Sequence, residues 1–148
     1  MRRLLFAVAV FALAGTLVSG YALRQHYAPA GSSFCNVTTT FSCDLVNQST
    51  YSEIMGIPVA AIGVVGYVAM LVLAMIARGN ARRAAWCIPW LRAGAIGGIV
   101  FSLILTGIEL FIIGAICVLC VASQVLMFAI GGCVAMLPRS SRSPGPES

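Results

Sequence analysis

The chain has 148 residues, enough for one domain, and only 9% of them are charged while 60% are hydrophobic. Soluble domains carry about 25% charged residues, so the composition excludes an ordinary water-soluble protein and specifies an integral membrane one. The net charge of +5 comes from nine arginines and no lysine; these are not clustered with interleaved aromatics, which excludes a nucleic-acid interface.

Apolar runs long enough to cross a bilayer, about 20 helical residues, predict four spans at about 4–23, 58–77, 93–113 and 115–137. The last two come from one apolar stretch too long for a single helix. Gly114 is the expected break between them, because glycine tolerates the backbone angles of a helix end. The first run also has the form of a signal peptide: Met1-Arg2-Arg3 followed by an apolar core. Its core is long for a signal and no clean Ala-x-Ala site follows, so a retained helix is expected. Eight arginines (Arg2, Arg3, Arg78, Arg82, Arg83, Arg92, Arg139 and Arg142) then fall on one side, leaving Arg24 opposite. The positive-inside rule makes that side cytoplasmic. Both termini lie there, and the loop 24–57 and the turn at Gly114 lie outside. In the loop, Thr50-Tyr51-Ser52-Glu53 has the capping-box pattern and predicts a short surface helix before Pro58 opens the second span. The Ser- and Pro-rich tail 138–148 reads as disordered.

The predicted fold class is therefore all-α: a four-transmembrane-helix bundle with an extracytoplasmic loop and short surface helix capping its outer end.

The chemistry-bearing residues are cysteines. Cys35, Cys43, Cys117 and Cys120 all fall at the outer face, the side where disulfides persist. Cys87 and Cys133 fall on the inner side, where unreactive thiols are expected. Cys117 and Cys120 form Cys-x-x-Cys, a spacing for redox chemistry or metal binding. Metal is not expected: a zinc shell needs a closed set of ligands, Cys35-x7-Cys43 is an unusual spacing for one, and the single His26 is remote in sequence. Covalent haem needs a histidine after the motif, where Val121 stands. On a helix, positions i and i+3 lie about 5–6 Å apart at Cβ, wider than a relaxed disulfide, so a Cys117–Cys120 bond is expected to be labile. Cys117, in the first turn, is exposed to the helix dipole that favours a thiolate. Cys120 lies one turn deeper, toward the hydrocarbon. The outer four permit either two disulfides or an exchange relay; Cys35 with Cys43 alone also reads as a structural staple.

Glu109 lies about 7–8 Å from the helix end at 1.5 Å per residue, and a carboxylate at that depth is a functional candidate. It is expected either to supply protons to a reduced lipid-soluble electron carrier or to sit protonated against Thr106 or Gln124. Glu53 reads as a capping residue. Gly94 and Gly98 form a small-xxx-small pair for close helix packing. Tyr51, Met55 and Phe111 are candidate pocket-lining residues, although apolar stripes are more often core.

The span order, the paired loop cysteines and Cys117-Val118-Leu119-Cys120 at the last helix resemble the vitamin K epoxide reductase family. The run Ser42-Cys43-Asp44-Leu45-Val46-Asn47-Gln48-Ser49-Thr50-Tyr51-Ser52-Glu53-Ile54-Met55-Gly56-Ile57-Pro58 is similar to the bacterial branch. The likeness covers about residues 4–137. It implies a Cys35–Cys43 disulfide attacked, most plausibly at Cys35, by a thioredoxin-fold partner that here is a separate protein. Cys43 then attacks Cys117, and Cys120 passes electrons to a quinone (menaquinone, ubiquinone or a vitamin K-like ring). Ser49, Ser52, Glu109, Gln124, Tyr51 and Met55 are the expected quinone contacts. Ser52 and Gln124 stand where animal members have an Asn and a Tyr, which favours plain quinone over the epoxide. The resemblance thus implies a monomeric, multi-pass enzyme of the bacterial cytoplasmic membrane, with its active cysteines extracytoplasmic, supporting disulfide formation. Three alternatives remain: an epoxide reductase proper, the disulfide-bond protein B type, whose cysteine pairs come in the opposite order, and a non-catalytic membrane subunit whose cysteines are staples.

Overall fold

The computed structural model describes residues 1–29, 31–32 and 34–138; apart from Pro138, the expected disordered tail lies outside them. In chain order the elements are α1 (Arg2–His26), α2 (Cys43–Asn47), a 3-10 turn (Thr50–Ser52), a small hairpin of β1 (Glu53–Ile54) and β2 (Ile57–Pro58), α3 (Val59–Gly79), α4 (Ala81–Ile108) running into a π turn (Glu109–Ile113), and α5 (Val118–Ala135). Among the described residues four helices are long and apolar enough to cross a membrane: α1, α3, α4 with its π turn, and α5. The protein is an all-α membrane bundle. α1 packs on α3 and α5, and α4 packs on the same two from the other side.

Lipid is as apolar as the helices, so close van der Waals packing, not water exclusion, holds such a bundle. Small residues make the close approaches. The ring of Tyr67 on α3 occupies the space where a Cβ on Gly15 of α1 would stand. Its hydroxyl then reaches α5 and donates to the Ser123 carbonyl at 2.7 Å. A Cβ on Gly98 would meet Met127 at 2.6 Å, and one on Gly131 would meet Ile99 at 2.8 Å. Toward the Arg-rich end these contacts merge into a core of Leu5, Val8, Met70, Leu91, Ile130 and Val134.

The third span starts earlier than hydropathy suggests. α4 begins at Ala81, not Ala93, and the connection from α3 shrinks to Asn80, whose side chain accepts from the Arg82 N–H at 2.9 Å. The reason is amphipathicity: Ala84, Cys87, Ile88 and Leu91 are buried while Arg82, Arg83, Trp86 and Trp90 are exposed, the i, i+3, i+4, i+7 pattern of a one-sided helix. Pro89 sits within it, on the exposed side.

Two further boundaries differ. The capping box does not build a surface helix: after the 3-10 turn the chain enters the hairpin, turning at Met55 (φ 54°) and Gly56 (φ 81°). Two left-handed residues in succession match the twist of a tight hairpin. At the other connection, the π turn ends at Gly114 (φ 68°), whose N–H donates to the Glu109 carbonyl at 2.8 Å. Residues 115–117 then run extended, and α5 starts at Val118 instead of Ala115. Ile116 forms a parallel bridge with Phe41 of the outer loop, and its N–H donates to the Thr40 carbonyl at 2.8 Å.

Candidate redox centre

That single bridge decides where the sulfurs go. Phe41 precedes Cys43 by two residues and Ile116 precedes Cys117 by one, so pairing the segments brings the loop and helix cysteines together. Cys35, Cys43 and Cys117 share one buried cluster with Ala22, Val46, Ala115 and Leu119, and Cys120 packs against it. Cys87 and Cys133 belong to the core at the opposite end.

Cys35 and Cys43 are joined by a disulfide with Cα atoms 5.9 Å apart, within the ordinary range. A polar scaffold shapes the loop around it. Ser42 caps α2, accepting from the Leu45 N–H at 3.4 Å. Asn36 accepts from the Ser42 hydroxyl at 2.9 Å and the Asp44 N–H at 3.4 Å, and donates to the Asp44 carboxylate at 2.7 Å. The same carboxylate oxygen accepts from the Gly31 N–H at 2.5 Å. Ser42 and Asp44 are buried, and a buried polar group left unpaired costs about 1–3 kcal/mol; the exposed Asn36 bonds both.

Cys117 and Cys120 are free thiols. Cys117 does not lie in the first helical turn but is the N-cap of α5, with extended backbone angles. It is fully buried. Its thiol is held below the ordinary cysteine range, first by a hydrogen bond from the Cys120 thiol, with burial and the nearby Glu109 acting against this. Glu109 is only 4% exposed. Its carboxyl accepts from the Cys117 N–H at 3.3 Å and is within hydrogen-bonding reach of the Cys120 thiol. It therefore pairs with neither Thr106 nor Gln124, the two partners expected for it; those two bond each other at 2.6 Å.

Beside Cys120 opens a cavity of about 1080 Å³, bounded by α1, α3, α4, α5 and the outer loop. Of the four outer cysteines Cys120 alone lines it. Its walls are mainly apolar, including Val18, Ala60, Ile62, Phe101, Ile113 and Leu119, and it extends along α3 and α4 as far as Trp86 and Trp90. Few polar groups converge in it, as in sites for apolar ligands. Of the expected quinone contacts, Ser49, Tyr51, Ser52 and Glu109 line it; Met55 and Gln124 do not. Met55 sits at the hairpin tip, 97% exposed, and Gln124 is turned to Thr106. Phe111 also points away from the bundle.

Sequence reasoning missed His26, Asn47, Tyr67 and Ser123 on the lining. His26 is remote from the cysteines in sequence, yet it stands at the cavity's outer rim, bonded to the last residue of α2. Tyr67 and Ser123 had a signal, as isolated polar groups within apolar spans.

The description that fits this arrangement is also the one a sequence comparison returns. The model of the vitamin K epoxide reductase family matches residues 6–135. Members of that family are quinone-linked membrane oxidoreductases acting on thiols, generally associated with thioredoxin-like partners. With cysteines, helices and matched residues in agreement, the chain belongs to the vitamin K epoxide reductase family.

Proposed function

We propose that the protein oxidises a thioredoxin-fold thiol partner and passes the electrons to a quinone, so supporting disulfide formation in exported proteins. The observation that carries this is the placement of Cys120: its thiol is within hydrogen-bonding reach of Cys117 on one side and lines the large apolar cavity on the other. A partner dithiol reduces the Cys35–Cys43 disulfide by attack at Cys35. Freed Cys43 attacks Cys117 of an oxidised Cys117–Cys120 pair, and the Cys120 thiolate is released beside the cavity. Cys35 then attacks Cys43, re-forming the Cys35–Cys43 disulfide and freeing Cys117, and the Cys117/Cys120 dithiol gives two electrons and two protons to the quinone, closing the Cys117–Cys120 bond.

This chain's residues divide that work. Asn36, Ser42 and Asp44 shape the loop that presents Cys43. Glu109 holds the Cys117 N–H and stands next to the Cys120 sulfur, where it can take and return a proton. Ser49, Ser52 and Tyr51 provide polar groups at the outer rim, where a quinone carbonyl would seat. The quinone supplies the two-electron acceptor; it is menaquinone, ubiquinone or a vitamin K-like ring. The positive-inside rule sets the Arg-rich end in the cytoplasm of a bacterium and the cysteines outside.

The test is quinone reduction by the protein in lipid vesicles, driven by a reduced thioredoxin-fold protein, with Cys120→Ser alongside. Turnover by the parent and background rate in the variant supports the reading. Equal rates in the two would place the chemistry elsewhere. No turnover by either, across several quinones, would favour the non-catalytic subunit. Vitamin K epoxide offered in place of quinone separates the reductase-proper alternative.

A further inference from the structure

The relay as described makes no use of His26. This residue lies in the last turn of α1, with its side chain 11% exposed. Its Nδ1 is 2.5 Å from the carbonyl oxygen of Asn47, and its Nε2 is 3.0 Å from Oε1 of Glu53. Both neighbours are oxygen acceptors. A neutral imidazole has one N–H and can satisfy one of them; the imidazolium donates to both.

The residues gripped are not arbitrary. Asn47 is the last residue of α2, and Cys43 is its first. One turn of helix, about 6 Å, joins them rigidly, so a hold on Asn47 is a hold on the Cys43 sulfur. Glu53 opens the hairpin that leads into α3. His26 therefore ties the end of α1 to both halves of the outer loop. The other groups around it are the Ser52 hydroxyl of the 3-10 turn, 3.5 Å from Nδ1 and itself donating to the Ser49 carbonyl at 2.7 Å, and the Tyr27 ring, edge-on at 5.0 Å. Of the groups facing His26 from α2, the 3-10 turn, β1 and its own helix end, Glu53 is the one that carries charge; Arg24 lies two residues earlier on α1.

We propose that His26 is a positioning residue for exchange between the two cysteine pairs: as the imidazolium it locks α2 so that Cys43 is presented to Cys117, and loss of the second ring proton releases that lock. This rests on the relay reading above and adds a pH-dependent element to it. The step read here is a disulfide isomerisation, the reverse of the relay's exchange in which Cys35 attacks Cys43 and frees Cys117, and it depends on the same placement of Cys43. The Cys117 thiolate attacks the Cys43 sulfur; the Cys43–Cys117 bond forms and the Cys35–Cys43 bond breaks. Cys35 leaves as thiolate and takes up a proton equivalent to the one Cys117 lost. No net electrons move, so no further reactant is needed.

The experiment uses the full chain in lipid vesicles without quinone, in a Cys120→Ser, Cys87→Ser, Cys133→Ser background. N-ethylmaleimide captures Cys35 as it is released, and mass spectrometry reads the modified peptide. Parent and variant rates are compared as a ratio, which cancels the ordinary rise of thiolate with pH. His26→Gln is expected to release Cys35 about tenfold more slowly in acid, where the imidazolium donates to both acceptors and the variant has lost one bond to a charged donor, with the ratio falling toward one in base. His26→Arg, charged throughout, is expected to restore the rate at low pH. Glu53→Gln lies on an exposed residue and gives the same trend if His26→Gln does not fold. Release that is equal in parent and variants, or a ratio unchanged by pH, overturns the proposal and leaves the relay standing. No release in the parent at any pH overturns both, whereas failed quinone turnover alone touches only the quinone reading.

Discussion

The two cysteine pairs sit side by side but are held in different ways. Cys35 and Cys43 belong to a loop of little regular structure, so their placement depends on side chains: Asn36, Ser42 and Asp44 do there what a helix ladder would do elsewhere. Cys117 and Cys120 are placed by backbone: the π turn, the left-handed Gly114, the bridge to Phe41 and the start of α5. One carboxylate accompanies each pair. Asp44 is bonded to the Gly31 N–H and the Asn36 amide and works as a joint of the loop. Glu109 has the Cys117 N–H at 3.3 Å and the Cys120 thiol nearby, and faces the cavity. A carboxylate engaged with loop backbone fixes a shape. One placed against sulfurs in an apolar wall is, in the proposed relay, the group that carries protons.

Glu109→Gln breaks the contrast most sharply. Quinone reduction is expected to slow about a hundredfold, the scale of a lost general acid–base group, while reduction of Cys35–Cys43 by the thiol partner keeps its rate. Stopped-flow measurement of the two half-reactions checks this, and equal quinone rates in variant and parent would remove Glu109 from the mechanism. Asn36→Ala tests the other side. It removes the bonds to Ser42 and Asp44 and is expected to cost about 2 kcal/mol. The loss should appear as an easier reduction of Cys35–Cys43 in a glutathione titration, with Cys117 and Cys120 unaffected. Tyr67→Phe should produce the smallest effect. Hydrogen bonds between membrane helices average about 0.6 kcal/mol, so losing the bond to Ser123 should lower thermal stability slightly and leave the redox balance of both pairs unchanged.

What the sequence made legible follows the same division. Four long apolar helices are visible from composition, because lipid imposes one simple demand on every span. Cys-x-x-Cys and Gly114 are local signals and can be read directly. The start of α4 was also present, in the spacing of Ala84, Cys87, Ile88 and Leu91, but the flanking Arg82, Arg83 and Arg92 mask it from a hydropathy reading. The bridge of Phe41 to Ile116 and the grip of His26 on Asn47 are long-range pairings, and nothing in either segment alone specifies them. The π turn is hidden for a different reason: its five residues, Glu109 to Ile113, are ordinary helix formers, and only the placement of Gly114 reveals the wider winding.

The early start of α4 has a mechanical consequence. Its 28 residues span about 42 Å at 1.5 Å each, against a hydrocarbon thickness of about 30 Å. With its π-turn end fixed beside the sulfurs, the excess must emerge at the arginine-rich end, where Trp86 and Trp90 lie exposed with ring centres 6.2 Å apart. Indole rings settle at the headgroup level, so α4 acts as a depth gauge. It sets how far below the lipid surface the redox centre hangs, and a thicker or thinner bilayer would tilt α4 and move that centre with it.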